Sequence, residues 1–261
     1  MEQQQRESLD IFMERYKDDA SILAILMGGS IAHGFAKPDS DIDIMLIVDE
    51  VEYEKRKREN KLTFSLWDVC TYSGGYIDCK VVSLPFLRLV AERGSDPARY
   101  AFQDCIVLQN RVPGLEELLA RVTEYPVDRQ EERRKRFVSQ LLAWKWYYSE
   151  AVKKQNDYLK VLAIQKIVLF ASRIVLNENK QLYPYHKWLL AETNRAPLKP
   201  ASYDAMLAQV LSAPAPDNVN PFCQEMLRFL NLEEQAVDWP NQFLIDSEWN
   251  WVEHEPPVDD L

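Results

Sequence analysis

The sequence predicts an α+β chain: a small mixed β-sheet with flanking helices, followed by an all-helical, bundle-like domain. Short apolar segments bounded by turns are confined to the first half, and long segments with helical spacing fill the second. Beyond about Val127 no segment reads as a strand, which divides the chain into residues 1–126 and 127–261.

Residues 5–19 read as a helix, because Leu9, Phe12, Met13 and Tyr16 share one stripe. "ILAILM" follows as a short buried strand ending at Gly28–Gly29. In "DIDIMLIV" the first four residues alternate and the rest is solidly apolar, the pattern of a central strand. "EVEYEKRKREN" is charged and reads as an exposed helix or excursion. "YIDCKVVSL" gives a third strand, Ser83 and Pro85 open a helix to about Arg93, and "CIVLQ" gives a fourth strand.

In the second half, "RFVSQLLAWKWYYSEAVKKQ" and "DYLKVLAIQKIVLFASRIVLNENK" have long-helix periodicity. Asp157 is placed to cap the second, and Asn177 lies near its end. Trp144, Tyr147 and Tyr148 read as interhelical packing. Short helices follow Tyr183, broken by "APLKPAS" and "SAPAPDNVNP", and the last ten residues read as a loose tail.

Lys and Arg number 31 against 41 Asp and Glu, a formal net charge of -10. Such a field repels a nucleic-acid backbone. The one dense basic cluster, "RQEERRKR", contains two glutamates and opens a helix, so it reads as solvated surface and nucleic acid is not an expected partner. No apolar run is long enough for a membrane span, and the polar N-terminal stretch lacks signal-peptide features. The four cysteines are scattered, as reduced thiols of a cytoplasmic protein would be. His33, His186 and His254 are distant from one another, which gives no basis for a zinc site.

The chemistry concentrates in "LMGGSIAHGFAKPDSDIDIMLIV". Residues two apart in a strand share a face, so Asp41 and Asp43 point one way while Ile42 and Ile44 enter the core. Carboxylates placed together repel, and a divalent cation with hard-oxygen preference offsets this; Mg²⁺ fits best. Asp39 is expected to cap the "KPDS" turn. Gly28 and Gly29 let backbone approach a ligand closely, and Ser30 opens the short helix "SIAHGF", whose amides and hydroxyl suit a terminal phosphate.

Gly29-Ser30, then Asp41-Ile42-Asp43, then Asp78 in "YIDCKVV", resembles the pattern of the nucleotidyltransferases of the DNA-polymerase-beta-like superfamily. That pattern is Gly-Ser, a spacer, Asp-x-Asp and a third carboxylate on a neighbouring strand. The resemblance covers about residues 20–85, roughly a quarter of the chain. "GGSIAHGFAKPDSDIDI" looks especially like bacterial enzymes that adenylylate small antibiotics or protein hydroxyls. "YPYHKWL" looks like an element of a little-characterised bacterial subgroup.

The resemblance implies metal-dependent transfer of a nucleoside monophosphate, foremost AMP from ATP, to a hydroxyl of a small-molecule acceptor, with release of pyrophosphate. Aminoglycoside- or lincosamide-like antibiotics are candidate acceptors. It implies Asp41, Asp43 and Asp78 as catalytic and Mg²⁺-binding residues, and Gly28, Gly29, Ser30, Lys187 and Tyr183 as nucleotide-binding ones. The proton acceptor stays open among Asp78, Asp68, Glu92 and Asp96. Trp67 and Tyr72 either pack the sheet edge or line an acceptor pocket. His33 departs from the arginine that several relatives carry. Adenylylation of a protein hydroxyl and a non-catalytic nucleotide-binding module remain open, as do monomer and homodimer.

Overall fold

In a computed structural model, which describes residues 1–253 and 255–261, the apolar segments of the first half assemble into a five-stranded mixed sheet. His254 lies outside the described residues. The chain divides into two units, Met1–Glu124 and Tyr125–Leu261. In the first, α1 (Gln3–Tyr16) leads to β1 (Ile22–Met27), the one-turn helix α2 (Gly29–Ala32) and β2 (Ile42–Val48). Then come α3 (Glu50–Arg58), β3 (Thr63–Leu66), β4 (Ile77–Ser83), α4 (Leu84–Arg93), α5 (Asp96–Tyr100), β5 (Ile106–Asn110) and α6 (Leu115–Thr123).

The strand order is β3-β4-β2-β1-β5, with β2 and β4 parallel and the other ladders antiparallel. Parallel neighbours need a crossover, and the charged "EVEYEKRKR" supplies it as α3, capped by Asp49, whose carboxylate accepts from the Glu52 amide at 2.9 Å. The hydroxyl of Ser83 likewise accepts from the Phe86 amide and starts α4.

Two expectations about elements are corrected. Four strands become five, because β3 pairs with β4 in a hairpin. The cap of α8 (Asp157–Glu178), which follows α7 (Gln130–Lys154), is Asn156, whose side chain accepts from the Leu159 amide at 3.0 Å; Asp157 sits inside the first turn. After α9 (Leu189–Arg195) and α10 (Tyr203–Ser212), "SAPAPDNVNP" also does more than break a helix. Pro216 opens α11 (Pro216–Phe229), at a position where a missing N–H is no loss.

Both faces of the sheet are covered. Leu9 and Phe12 of α1 pack on Ile25, Ile42, Ile44 and Leu46, while Leu87, Val90, Leu115 and Leu119 of α4 and α6 pack on Leu26, Met45 and Ile47. Arg99, 6% exposed, ties the second layer together: its guanidinium donates to the carbonyls of Ala91 and Gly94 at the end of α4 and of Arg121, Val122 and Glu124 at the end of α6. Buried carbonyls left without donors are costly, so Arg99→Leu is expected to destabilise the fold by about 2 kcal/mol in a urea titration. An unchanged midpoint would remove this clamp from the account of the fold.

In the second unit α7 and α8 pack through Leu141, Tyr148, Ile167 and Ile174, with Phe222 and Met226 of α11 joining. Buried hydroxyls are satisfied: Tyr148 donates to the Pro214 carbonyl, and Ser172 and Tyr203 meet at 2.9 Å. The basic cluster is compensated, with Arg129 on Glu132, Arg134 on Glu178 and Arg136 on Asp246. Among the described residues no helix is long and apolar enough to cross a membrane.

Candidate active site

β2 is buried from Ile44 to Val48, and its first turn-side residues decide the site. Ile42 and Ile44 are 0% and 1% exposed on the α1 face. Asp43 shares the opposite face with Met45 and Ile47 and is half-buried, lying just before the cover of α4 and α6 begins. The parallel ladder sets Asp43 beside Asp78, and the β3–β4 ladder sets Asp78 beside Ser65. One row therefore crosses three strands: Asp43, Asp78, Ser65. The Ser65 hydroxyl donates to Asp78 Oδ1 at 3.4 Å.

A second row lies one pleat outward. Asp41 precedes β2, and the Ile42 amide donates to the Tyr76 carbonyl at 3.1 Å. The Trp67 indole stacks on the Tyr76 ring, centroids 4.6 Å apart. The Asp41 carboxylate, through hydrogen bonding first and then its charge, pushes the Tyr76 phenol pKa up, burial adds to this, and the charges of Asp78 and Asp43 contribute further. Tyr76 thus stands in the field of all three acidic residues.

The glycine turn closes on the same place. The Gly28 amide donates to the Asp43 carbonyl at 3.0 Å. Gly29 has φ +63°, and a Cβ there would overlap the Asp43 carboxylate, so that side chain lies directly against the Gly29 backbone. Ser30 is 4% exposed, and its buried hydroxyl has no hydrogen-bond partner among the described residues. An unmet buried hydroxyl costs roughly 1–3 kcal/mol, which a ligand oxygen would recover. His33 stacks on Tyr100 at 4.4 Å, with Nδ1 3.4 Å from an Asp104 oxygen.

The turn before Asp41 is held by residues that sequence reasoning missed. Gln5, fully buried on α1, donates to the carbonyls of Lys37 and Ser40, and Tyr72 donates to the Ser40 carbonyl at 2.8 Å. Burial, chiefly, pushes the Tyr72 phenol up to about 12, so it remains a donor. The expected cap by Asp39 is corrected: the Ser40 hydroxyl accepts from the Lys37 amide at 2.8 Å, because the shorter side chain fits this tight turn, and Asp39 is exposed. A signal for Gln5 existed, since it lies four residues before Leu9 on the apolar stripe of α1.

Tyr183 and Lys187 belong to the second unit. Tyr183 is buried, with Arg173 4.3 Å from its ring centre and His186 Nδ1 3.1 Å from its hydroxyl. Lys187 is exposed and lies over the ring of Trp188. Of the other proton-acceptor candidates, Asp68 is paired with Arg15 at 2.7 Å, which lowers its pKa, Glu92 is exposed on α4, and Asp96 is buried at the start of α5. Among the described residues no group of three or more His, Cys, Asp or Glu side chains is already arranged to hold a metal ion.

Residues 6–72 match the family model of the nucleotidyltransferase domain. The matched stretch runs from α1 through the glycine turn, Asp41 and Asp43, and stops before Tyr76 and Asp78. Such a domain supports nucleotidyl transfer in general, and proteins of this family typically use a nucleoside triphosphate and a divalent metal. A nucleotidyltransferase-like protein from Exiguobacterium sibiricum 255-15 is a structural neighbour at 11% sequence identity and a TM-score of 0.46, with 97% of this chain and 81% of that chain covered. No curated protein matches the sequence.

Proposed function

We propose that the chain is a metal-dependent nucleotidyltransferase that moves a nucleoside monophosphate, foremost AMP from ATP, onto a hydroxyl of a small-molecule acceptor and releases pyrophosphate. The observation that carries this reading is the place of Asp43, against the Gly29 backbone on one side and in register with Asp78 on the other. A phosphate-binding turn and an acidic row meet at one side chain. The acceptor class, a hydroxylated molecule of the aminoglycoside or lincosamide kind, is supported by the resemblance of the Gly28–Ile44 stretch alone.

The donor set fits Mg²⁺: all ligands are hard oxygens, and the unpartnered Ser30 hydroxyl stands beside them. In nucleotide enzymes Mg²⁺ is bound by one or two carboxylates together with substrate phosphates, without an all-protein cage. Asp43 and Asp78, with Asp41 beside them, are enough as the protein's share. When bound, the ion neutralises phosphate charge and orients the triphosphate.

The chain's own groups divide the remaining work. Gly29 admits phosphate oxygens close to the backbone, and the Ser30 hydroxyl donates to one of them. Asp41, Asp43 and Asp78 would hold the ion. The acceptor hydroxyl oxygen bonds to the α-phosphorus as the bond to the bridging oxygen breaks, and Asp78 takes the hydroxyl proton. Ser65 keeps Asp78 oriented from the neighbouring strand.

The test is transfer of label from α-labelled ATP to a panel of hydroxylated antibiotics and a small-molecule cell extract, with pyrophosphate release followed in parallel. Calorimetry with a non-hydrolysable ATP analogue should show binding that requires Mg²⁺. Metal-independent or absent nucleotide binding would reject the reading, and binding without transfer would favour a non-catalytic module. In the same assay Ser30→Ala is expected to weaken analogue binding about tenfold, the size of one hydrogen bond to a charged group. Equal affinity would remove Ser30 from the phosphate site.

A further inference from the structure

We propose that Gln5 and Tyr72 are positioning residues for the Asp41 carboxylate: together they fix the Ser40 carbonyl, and with it the peptide plane that leads into Asp41. The inference rests on the nucleotidyltransferase reading and goes beyond it, since neither residue has a part in the chemistry assigned above.

Asp41 needs such support. It sits before β2 rather than within it, so the ladder with β4 begins at its neighbour Ile42. A residue's backbone is set by the two peptide planes that flank its Cα, because each plane is rigid. The Ile42 amide, bonded to the Tyr76 carbonyl at 3.1 Å, pins the plane after Asp41. The plane before it carries the Ser40 carbonyl, which accepts from Gln5 Nε2 at 3.1 Å and from the Tyr72 hydroxyl at 2.8 Å. With both planes held, the direction of the Asp41 side chain is set without drawing on its carboxylate oxygens.

Both anchors are themselves held. Gln5 is fully buried near the start of α1; its Oε1 accepts from the Glu2 amide at 2.9 Å, while Nε2 also reaches the Lys37 carbonyl at 3.2 Å. One orientation of the side-chain amide satisfies all of these groups. Glutamine is seldom buried this fully, and the two carbonyls that Gln5 meets both belong to the turn before Asp41. That turn is closed by the Ser40 amide on the Lys37 carbonyl at 3.0 Å, so it moves as one piece. Tyr72 is tied to the same helix through its neighbour: the Thr71 amide donates to the Ser8 hydroxyl at 3.0 Å, and the Thr71 hydroxyl donates to the Gln4 carbonyl at 3.1 Å. A Cβ on Gly75 would overlap the Tyr72 ring, so the ring lies against the Gly75 backbone. α1 therefore sets Asp41 twice, directly through Gln5 and through the loop that carries Tyr72.

Mn²⁺ is the probe, titrated into the full-length chain with a non-hydrolysable ATP analogue and followed by the loss of its free-ion resonance signal, at a temperature where every variant is folded. Gln5→Met keeps the length and removes the amide; it is expected to weaken Mn²⁺ binding about tenfold. Tyr72→Phe keeps the ring and removes one of the two bonds to Ser40, so a loss of about threefold is expected. Phe12→Leu, which thins the packing of α1 two turns from Gln5, should lower the melting temperature and leave Mn²⁺ affinity at the wild-type value. In an Asp41→Asn chain, where Asp43 and Asp78 keep binding measurable, Gln5→Met should have no further effect. If Gln5→Met and Tyr72→Phe bind Mn²⁺ as wild type does, or if Gln5→Met costs as much in the Asp41→Asn chain as in wild type, neither residue positions Asp41. Asp43→Asn is the reference for the site itself: if it retains full Mn²⁺ binding, the metal-site reading falls and this inference falls with it.

Discussion

Asp43→Asn is expected to lower nucleotidyl transfer at least a thousandfold, roughly 4 kcal/mol of transition-state stabilisation, with the fold intact. The substitution is nearly isosteric. The Asp43 main chain still accepts from the Gly28 amide, and Ile42 and Ile44 still fill the core on the other face. What changes is charge, at the residue that touches both the glycine turn and the Asp78 row. An amide offers one neutral oxygen where the carboxylate offers two anionic ones, so on the proposed reading an ion would be held weakly and a triphosphate would lose its partner. Removing one of two neighbouring like charges relieves repulsion, so the melting temperature should stay level or rise slightly. Label transfer to the acceptor identified by the panel, read beside a thermal melt, separates the two effects. Wild-type turnover in the asparagine variant would take Asp43 out of the mechanism.

Much of this site can be read from residue order. The apolar run after Asp43 marks a central strand, and only a central strand has neighbours on both sides to bring a turn and a third carboxylate to it. That Asp78 would be the in-register neighbour was legible only as resemblance, because strand pairing between distant segments leaves no local mark. β3 escaped notice for a different reason. "LTFSLW" does alternate, with Leu62, Phe64 and Leu66 against Thr63 and Ser65, but four paired residues after a charged helix are short against the usual strand. Missing β3 hid Ser65 and the Trp67–Tyr76 stack together, since both follow from its ladder. Gln5 and Tyr72 act through main-chain carbonyls of a turn, and no side-chain pattern records such contacts. The cap of α8 shows the limit at single-residue scale: Asn156 and Asp157 are both good caps, and the boundary chooses between them.

Gly29→Ala is expected to abolish tight nucleotide binding, with a loss of more than a hundredfold, while a matched control, Gly34→Ala, leaves it near wild type. Both glycines have left-handed backbones, φ +63° and +72°, so alanine at either carries a similar strain of about 1 kcal/mol. Their surroundings differ. Nothing lies within 4 Å of a Cβ placed on Gly34, whereas a Cβ on Gly29 enters the space of the Asp43 carboxylate. That carboxylate cannot retreat far, because its strand is pinned by the Gly28 amide on one side and the β4 ladder on the other. The methyl group must therefore displace the turn or the side chain, and a shift of about 1 Å at a reacting centre is enough for a hundredfold loss. Chemical denaturation should show a larger stability loss for Gly29→Ala than for Gly34→Ala, both well short of unfolding the chain, and calorimetry with Mg²⁺ and the ATP analogue should separate binding from stability. If both variants bind alike, backbone strain accounts for everything at Gly29, and the contact between turn and carboxylate is packing without a part in nucleotide recognition.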